Sequence, residues 1–160
     1  MGEGKNVELV IEAFIELYKR GSKAQITFYG GSEERLAELQ NQYDLPPTIH
    51  FKGIVDEVPY HLHQCYLSAS YTELFANACV EALSQGLLAL LSDVEIAHRF
   101  YASQSNAINL FKTKSELIQK IEEMEELDFY LSNEKNLALA SRYSLEKVAQ
   151  IYRELLDRNF

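Results

Sequence analysis

The sequence has few cysteines, no excess of basic residues and no long apolar run. Its two cysteines, Cys65 and Cys79, are too few for a disulfide framework. We therefore expect both thiols to be reduced and packed, as in a cytoplasmic protein. The formal net charge of −9 argues against nonspecific nucleic-acid binding, which needs a basic face. It does not exclude a phosphate ligand, because the local field of a site can differ from the net charge.

The sequence also shows no pattern that indicates a membrane anchor or an export signal. No apolar run approaches the roughly 20 residues of a membrane span. The segment from Met1 to Asn6 is short, polar and glycine-containing, unlike a secretory signal. We therefore expect a cytoplasmic location, with the inner face of the membrane as an alternative.

Several motifs of common enzyme classes are absent too. Gly30-Gly31 lacks the Gly-Lys-Ser/Thr that completes a phosphate loop, so the pair is interpreted as a turn. His61-x-His63-x-Cys65 has no second pair of ligands, and we expect no metal site there. No serine or cysteine stands in a nucleophile motif with a histidine base. The acidic run from Glu122 to Glu126 is interpreted as a solvated helical face.

What is present is a regular alternation of strands and helices over one domain, residues 1–160. A composition with 47% hydrophobic and 24% charged residues is that of an ordinary globular chain. The alternation predicts an α/β fold, a Rossmann-like parallel sheet with helices on both faces. The predicted strands are Ala24–Tyr29, Thr48–Lys52, Cys65–Ser70, Leu87–Ser92 and Ala107–Phe111. Two helices are predicted over the ranges Asp56–Gln64 and Asn133–Arg142. The others are predicted to begin at Asn6, Ser32, Thr113 and Ser144 and near Asn77.

The stretch from Ser68 to Val94 reads as strand, loop, helix and strand, and it carries two carboxylates. Glu73 lies in the loop and Glu81 on the helix, separated by seven residues. The crevice at the carboxyl end of such a strand is the usual ligand site of an open α/β sheet. Free N–H groups at a helix start attract phosphate, and a buried carboxylate beside them can bind a pair of sugar hydroxyls. The stretch therefore predicts a nucleotide-sugar site.

These residues also resemble a known family. Ser70-Tyr71-Thr72-Glu73, the seven-residue gap to Glu81, Ala82-Leu83, Gly86 and Ser92-Asp93 resemble the donor-binding, C-terminal domain of group 1 (family 4) glycosyltransferases. Those are retaining enzymes with two Rossmann-like domains, the GT-B architecture. The resemblance extends over nearly the whole chain, through Lys5-Asn6, Phe28-Tyr29-Gly30-Gly31, Ile49-His50-Phe51-x-Gly53 and Tyr143-Ser144-x-Glu146.

The resemblance implies a role for each candidate residue. Glu81 would bind the ribose and Glu73 the donor sugar, while Lys5 would neutralise the departing diphosphate. Loop geometry and backbone N–H groups at Ser70, Phe75, Ala76 and Asn77 would hold the phosphates. The donor would also lie against Gly30, with its base beside Gly53, Ile54 and Val55.

The implied activity is transfer of a hexosyl group from a UDP- or GDP-linked sugar to a glycan or lipid-linked glycan, as in cell-surface polysaccharide biosynthesis. No metal or other cofactor is expected. The acceptor would bind to an N-terminal GT-B domain that this sequence does not contain. We therefore expect this chain alone to bind donor weakly and to transfer nothing.

The sequence departs from the family pattern in three places. The first strand, which ends in Gly-Arg in the family, is not present. Leu74 and Ala76 stand where the family has glycines, and Leu88 replaces a proline. An alternative is therefore a degenerate, non-catalytic GT-B domain that acts as a binding or assembly partner of another glycosyltransferase. A sugar-nucleotide epimerase is disfavoured, because no Gly-x-Gly-x-x-Gly follows a strand.

Overall fold

The computed structural model describes residues 3–72, 77–93, 96–103 and 108–126. These residues form five α-helices and five β-strands that alternate over most of the chain. The helices are α1 (Val7–Lys19), α2 (Glu33–Gln42), α3 (Asn77–Ser84), α4 (Ile96–Ala102) and α5 (Lys114–Glu126). The strands are β1 (Ile26–Tyr29), β2 (Ile49–Gly53), β3 (Cys65–Ser68), β4 (Leu88–Ser92) and β5 (Ile108–Phe111). Two short 3-10 turns cover Glu3–Lys5 and Tyr60–Leu62.

The strands pair in parallel, as the alternation predicted, but in two separate sheets. One sheet consists of β1 and β2, and the other has the order β3-β4-β5. Within the described ranges, β1 pairs only with β2 and β3 pairs only with β4. The predicted Rossmann-like α/β fold is confirmed, and the division of its strands into two sheets was not anticipated.

Helices cover both faces of the strands. One core cluster joins α1 and α5 to side chains of both sheets, including Ile49 on β2 and Leu90 on β4. A second cluster packs α3 and α4 against the opposite face, where Ala89 and Leu91 of β4 are buried. Because successive side chains of a strand point to opposite faces, these alternate residues of β4 supply both cores.

Local signals explain where two of the helices begin. The Ser32 hydroxyl accepts a hydrogen bond from the Arg35 backbone N–H at 3.3 Å and so caps α2. At α5, the Thr113 hydroxyl accepts from the Glu116 N–H at 3.2 Å, as the predicted capping box requires. The Glu116 carboxylate accepts a hydrogen bond from the Lys112 N–H at 2.7 Å. A capping box normally uses the N–H of the capping residue itself, which here is Thr113.

Two helix predictions need correction. The segment Asp56–Gln64 contains only the 3-10 turn Tyr60–Leu62, because Pro59 has no N–H and restricts the residue before it. Asn6 stands at the start of α1 but makes no side-chain cap, since its left-handed backbone, with φ of 50°, differs from the extended form of a capping residue.

One helix was not predicted, and two predicted helices cannot be compared. The region between β4 and β5, where no helix was predicted, contains helix α4. The helices predicted over Asn133–Arg142 and from Ser144 lie outside the described residues. Within the described ranges, no helix combines the length and apolar character needed to cross a bilayer.

Candidate glycosyl-donor site

Glu81 lies on α3 and is held by a tyrosine from a distant part of the chain. The Tyr60 hydroxyl, in the turn before β3, donates a hydrogen bond to Glu81 Oε2 at 3.0 Å. The other oxygen, Oε1, has no hydrogen bond to any described residue. Glu81 is exposed, whereas the sequence argument invoked a buried carboxylate. The result is an accessible carboxylate with one oxygen anchored and one available to accept.

The Tyr60–Glu81 hydrogen bond has a fixed direction. Burial of the phenol, followed by its hydrogen bond to Glu81, raises the pKa of Tyr60 well above its usual value. Tyr60 therefore remains protonated at neutral pH and acts as the donor, while Glu81 can only accept. An acceptor-only group with a free oxygen suits hydroxyl donors such as those of a ribose.

The N-terminal turn places Lys5 next to the loop that leads to Glu73. The Gly4 carbonyl accepts a hydrogen bond from the Tyr71 N–H at 2.9 Å, three residues after the end of β3. A Cβ added at Gly4 would lie 3.1 Å from the Thr72 hydroxyl, so the two backbones approach closely. Glu73 itself is outside the described residues, but Lys5 belongs to a turn that contacts Tyr71 and Thr72, the two residues before Glu73.

The carboxyl ends of β1 and β2 are joined by a contact between two glycines. The Gly30 N–H donates to the Gly53 carbonyl at 2.5 Å, and their φ angles are 82° and 64°, values that favour glycine. Ile54, the next residue after Gly53, is 83% exposed, and Val55 is half-buried. An exposed apolar side chain beside the ends of parallel strands provides a surface on which a planar base could lie.

A buried polar network lies beneath the loop after β3. The Ser92 hydroxyl donates to the Ser70 carbonyl at 2.5 Å. The Ser68 hydroxyl donates to the Ser70 hydroxyl at 3.2 Å. His98 is fully buried, with Nδ1 2.9 Å from the Ser92 carbonyl. Because the Ser92 proton is used at Ser70, Nδ1 of His98 carries its own proton and donates to Ser92. The network connects the ends of β3 and β4 to α4.

Beside this network, Asp93 forms ion pairs with Arg99 and Lys112. Arg99 Nε donates to Asp93 Oδ1 at 2.7 Å, and Lys112 Nζ lies 3.3 Å from Asp93 Oδ2. The hydrogen bond from Arg99, together with that from Lys112, holds the pKa of Asp93 below its usual value. Asp93 also lines a cavity of about 330 Å³ with Lys112, Glu116 and Lys120. This cavity lies at the β5 side of the sheet, and no sequence pattern indicated it.

The predicted site residues divide into three groups. Lys5 is placed beside the end of β3, and Gly30 is joined to Gly53, next to Ile54 and Val55. Asn77 is exposed at the start of α3, the helix that carries Glu81, while Ser70 is 1% exposed and belongs to the buried network. Glu73, Phe75 and Ala76 lie outside the described residues. Among the residues that the structure describes, no three potential metal ligands are grouped together.

Sequence reasoning missed three residues of this region: Tyr60, Ser92 as a hydroxyl donor, and His98 as a buried group. Tyr60 is 21 positions from Glu81, and no local pattern connects them. Ser92 was noted only as part of the Ser92-Asp93 motif. Their roles depend on tertiary contacts between strand ends.

These features define a class, a Rossmann-like α/β domain with an accessible carboxylate and an anchored lysine turn near its strand ends. The profile of the family described as "Glycosyl transferases group 1" matches residues 1–143. The chain belongs to this family. A comparison with curated protein sequences found no significant match.

Solved structures show the same fold at low sequence identity. A chain of the GtfA/B complex is 18% identical, with a TM-score of 0.83 over 99% of this chain and 34% of that one. The pneumococcal O-GlcNAc transferase GtfA, solved with UDP and GlcNAc, is 18% identical, with a TM-score of 0.76 over 98% of this chain and 34% of that one. The catalytic domain of cholesterol-α-glucosyltransferase from Helicobacter pylori is 21% identical, with a TM-score of 0.64 over 89% of this chain and 93% of that one. The chain thus spans about a third of the length of the first two.

Proposed function

We propose that this chain is the donor-binding domain of a retaining, family 4 glycosyltransferase of GT-B architecture. The donor is a hexose linked to UDP or GDP, and the acceptor is a glycan or lipid-linked glycan, as in cell-surface polysaccharide biosynthesis. The acceptor binds to a second, N-terminal domain. The proposed location is the cytoplasm, where nucleotide sugars are made available to such enzymes.

The observation that carries this proposal is the carboxylate of Glu81. Tyr60 fixes one oxygen and leaves Oε1 available, so the carboxylate is oriented before a ligand arrives. A pair of ribose hydroxyls can donate to such a group, as they do to the acidic residue of dinucleotide-binding folds.

The proposed phosphate site combines Lys5 with the backbone N–H groups at the start of α3. Gly4 fixes the turn that carries Lys5 to Tyr71, and Asn77 marks the first turn of α3. A lysine and a helix N-terminus both stabilise a leaving diphosphate without a metal ion. In the proposal Glu73, Phe75 and Ala76 complete this site, with Glu73 next to the sugar and Ser70 supporting the loop from beneath.

A thermal-shift experiment tests the proposed donor site. The chain is heated with UDP, GDP, ADP and their sugar conjugates, alongside a Glu81→Gln variant. A ligand at about a hundred times its dissociation constant adds roughly 2.7 kcal/mol of stability, or about 5 to 11 °C in a chain of this size. We expect a shift with one nucleotide class that Glu81→Gln removes.

Glu123→Gln is the matched control. Glu123 is also an exposed helical glutamate, and it accepts a hydrogen bond from the Gln119 side chain at 2.7 Å. We expect this variant to retain the full nucleotide shift. The absence of any shift in the unmodified chain would favour a degenerate GT-B domain that serves as a partner of another glycosyltransferase. The substitutions at Leu74 and Ala76 are the observation that keeps this second candidate open.

A further inference from the structure

The 3-10 turn that carries Tyr60 has little apolar packing to hold it in place. None of the residues Tyr60–Leu62 is buried, and the Leu62 side chain is 69% exposed. A 3-10 turn also has poorer hydrogen-bond geometry than an α-helix, so it contributes little rigidity of its own. The position of the Tyr60 hydroxyl therefore depends on the contacts that fix the two ends of this turn.

One end of the turn is fixed by His63, the residue that follows Leu62. The His63 N–H donates to the Tyr60 carbonyl at 2.9 Å and closes the turn. The His63 ring lies edge-on to the ring of Tyr29, and its Nε2 is 2.7 Å from the Tyr29 hydroxyl. Because Tyr29 is the last residue of β1, a single imidazole attaches the turn to the end of a strand.

The other end of the turn is Tyr60 itself, whose hydroxyl donates to Glu81 at 3.0 Å. The contacts therefore form one continuous series from Tyr29 through His63 and Tyr60 to Glu81. The series begins on a strand of the first sheet and ends on α3, which packs against the second sheet. It connects the proposed ribose-binding carboxylate to a part of the fold outside its own sheet.

Tyr29 also lies next to the segment proposed for the base. The following residue, Gly30, donates to the Gly53 carbonyl, and Gly53 precedes the exposed Ile54. The ribose and the base belong to one ligand, so the groups that bind them have to be kept at a constant separation. Hydrogen-bonded supporting residues are the usual means of fixing such groups. The series that starts at Tyr29 can serve this purpose.

We infer that His63 is a positioning residue of the donor site, which acts with Tyr29 to hold the turn that aligns Tyr60 with Glu81. In this inference His63 does not touch the nucleotide, and it sets the direction in which Oε1 of Glu81 points. The inference rests on the proposed function for the identity of the ligand. The coupling of His63 to Glu81 rests on the contacts alone, and it can be tested without a ligand.

Nuclear magnetic resonance of the ligand-free chain tests this coupling. The chemical shift of the Glu81 carboxyl carbon is compared among variants, with Tyr60→Phe as the reference for a lost hydrogen bond. We expect His63→Leu to reproduce most of the change seen in Tyr60→Phe. His63→Gln should reproduce little of it, because its side-chain amide can still hydrogen-bond to the Tyr29 hydroxyl.

Tyr29→Phe is the milder variant, because it removes a single oxygen atom from the same contact. It should move the Glu81 carboxyl signal in the same direction as His63→Leu. A signal that stays unchanged in both Tyr29→Phe and His63→Leu would overturn the inference, whatever the chain binds.

Nucleotide binding tests the consequence for the donor site. The dissociation constants of UDP and GDP are measured by titration calorimetry for the unmodified chain, Tyr29→Phe, Glu81→Gln and the double variant. We expect Tyr29→Phe to weaken binding about three- to tenfold, as the loss of one hydrogen bond implies. It should add no further loss in the Glu81→Gln background, because its effect passes through Glu81.

Tyr18→Phe is the matched control, since it removes the hydroxyl of an exposed tyrosine on α1 and should leave both dissociation constants unchanged. Equal losses from Tyr29→Phe in both backgrounds would contradict the inference, because Tyr29 would then act independently of Glu81. Failure of UDP and GDP to bind the unmodified chain would overturn the proposed function and, with it, the role of His63 in a donor site. The ligand-free carboxyl signal distinguishes that result from a failure of the coupling itself.

Discussion

The buried hydroxyl of Ser92 should contribute measurably to stability, although its removal deletes only one atom. In the Ser92→Ala variant the Ser70 carbonyl loses the donor at 2.5 Å, and His98 loses a polar neighbour at 3.1 Å. Ser70 is 1% and His98 0% exposed, so water cannot easily replace the lost group. The loss of a hydrogen bond between buried polar groups costs about 1 to 3 kcal/mol.

The assay is urea unfolding followed by circular dichroism, supported by thermal melting. For a chain of this size, about 1 to 3 kcal/mol corresponds to a fall of roughly 2 to 12 °C in Tm. Ser84→Ala is the matched control, because the exposed Ser84 hydroxyl also donates to a backbone carbonyl, that of Glu81, at 2.6 Å. The control should stay within about 0.5 kcal/mol of the unmodified chain. Equal losses in both variants would refute the argument that burial sets the cost.

Three further predictions concern packing, backbone conformation and titration. Leu117→Ala, at a fully buried position between α5 and α1, should lower the free energy of unfolding by about 2 to 5 kcal/mol. Lys114→Ala removes the exposed ion pair with Glu12 and should lower it by less than about 1 kcal/mol. Urea unfolding compares the two variants. Gly53→Ala should lower the free energy of unfolding by about 1 to 3 kcal/mol in the same measurement, because alanine is strained at a φ of 64°. The cost does not come from a clash, since the added Cβ would lie at an ordinary 3.7 Å from Leu36. A neutral result would show that the backbone relaxes. Burial raises the pKa of the Cys65 thiol to about 12, so its contribution to stability is complete below about pH 9 and is lost as the pH rises towards 12. Cys65 is partly buried, so alkylation at pH 8 should label it more slowly in the folded chain than after unfolding, and equal rates would contradict this.

Much of the fold could be predicted because its strands and long helices carry regular apolar patterns. Helix α1 buries Val10, Ile11, Phe14 and Leu17 at helical spacing, and the continuous apolar run of β4 indicated a buried parallel strand. Helix α4 was missed because two of its large apolar residues are exposed, while a histidine is buried along with Tyr101. Ile96 and Phe100 are exposed at 79% and 52%, while His98 is buried. A method that places apolar side chains inside cannot detect such a helix.

The candidate site could be predicted only where its residues lie in one local motif. The pair Glu73 and Glu81 was proposed from its spacing, and the structure places Glu81 on helix α3 as that segment predicted. The partner of Glu81 could not be found, because Tyr60 reaches it from a turn that follows a different strand. The pairing of the strands in two sheets, β1-β2 and β3-β4-β5, depends on tertiary contacts that side-chain patterns do not determine.

Nuclear magnetic resonance mapping of nucleotide binding tests the central claim most directly. The amides of an isotope-labelled chain are followed while UDP or GDP is added, and the residues whose signals move mark the ligand site. The account predicts changes at Lys5, Asn77, Glu81 and the segment 53–55, and their loss in Glu81→Gln. Changes confined to the cavity lined by Asp93, Lys112 and Lys120 would contradict it and place the nucleotide at the β5 edge of the sheet.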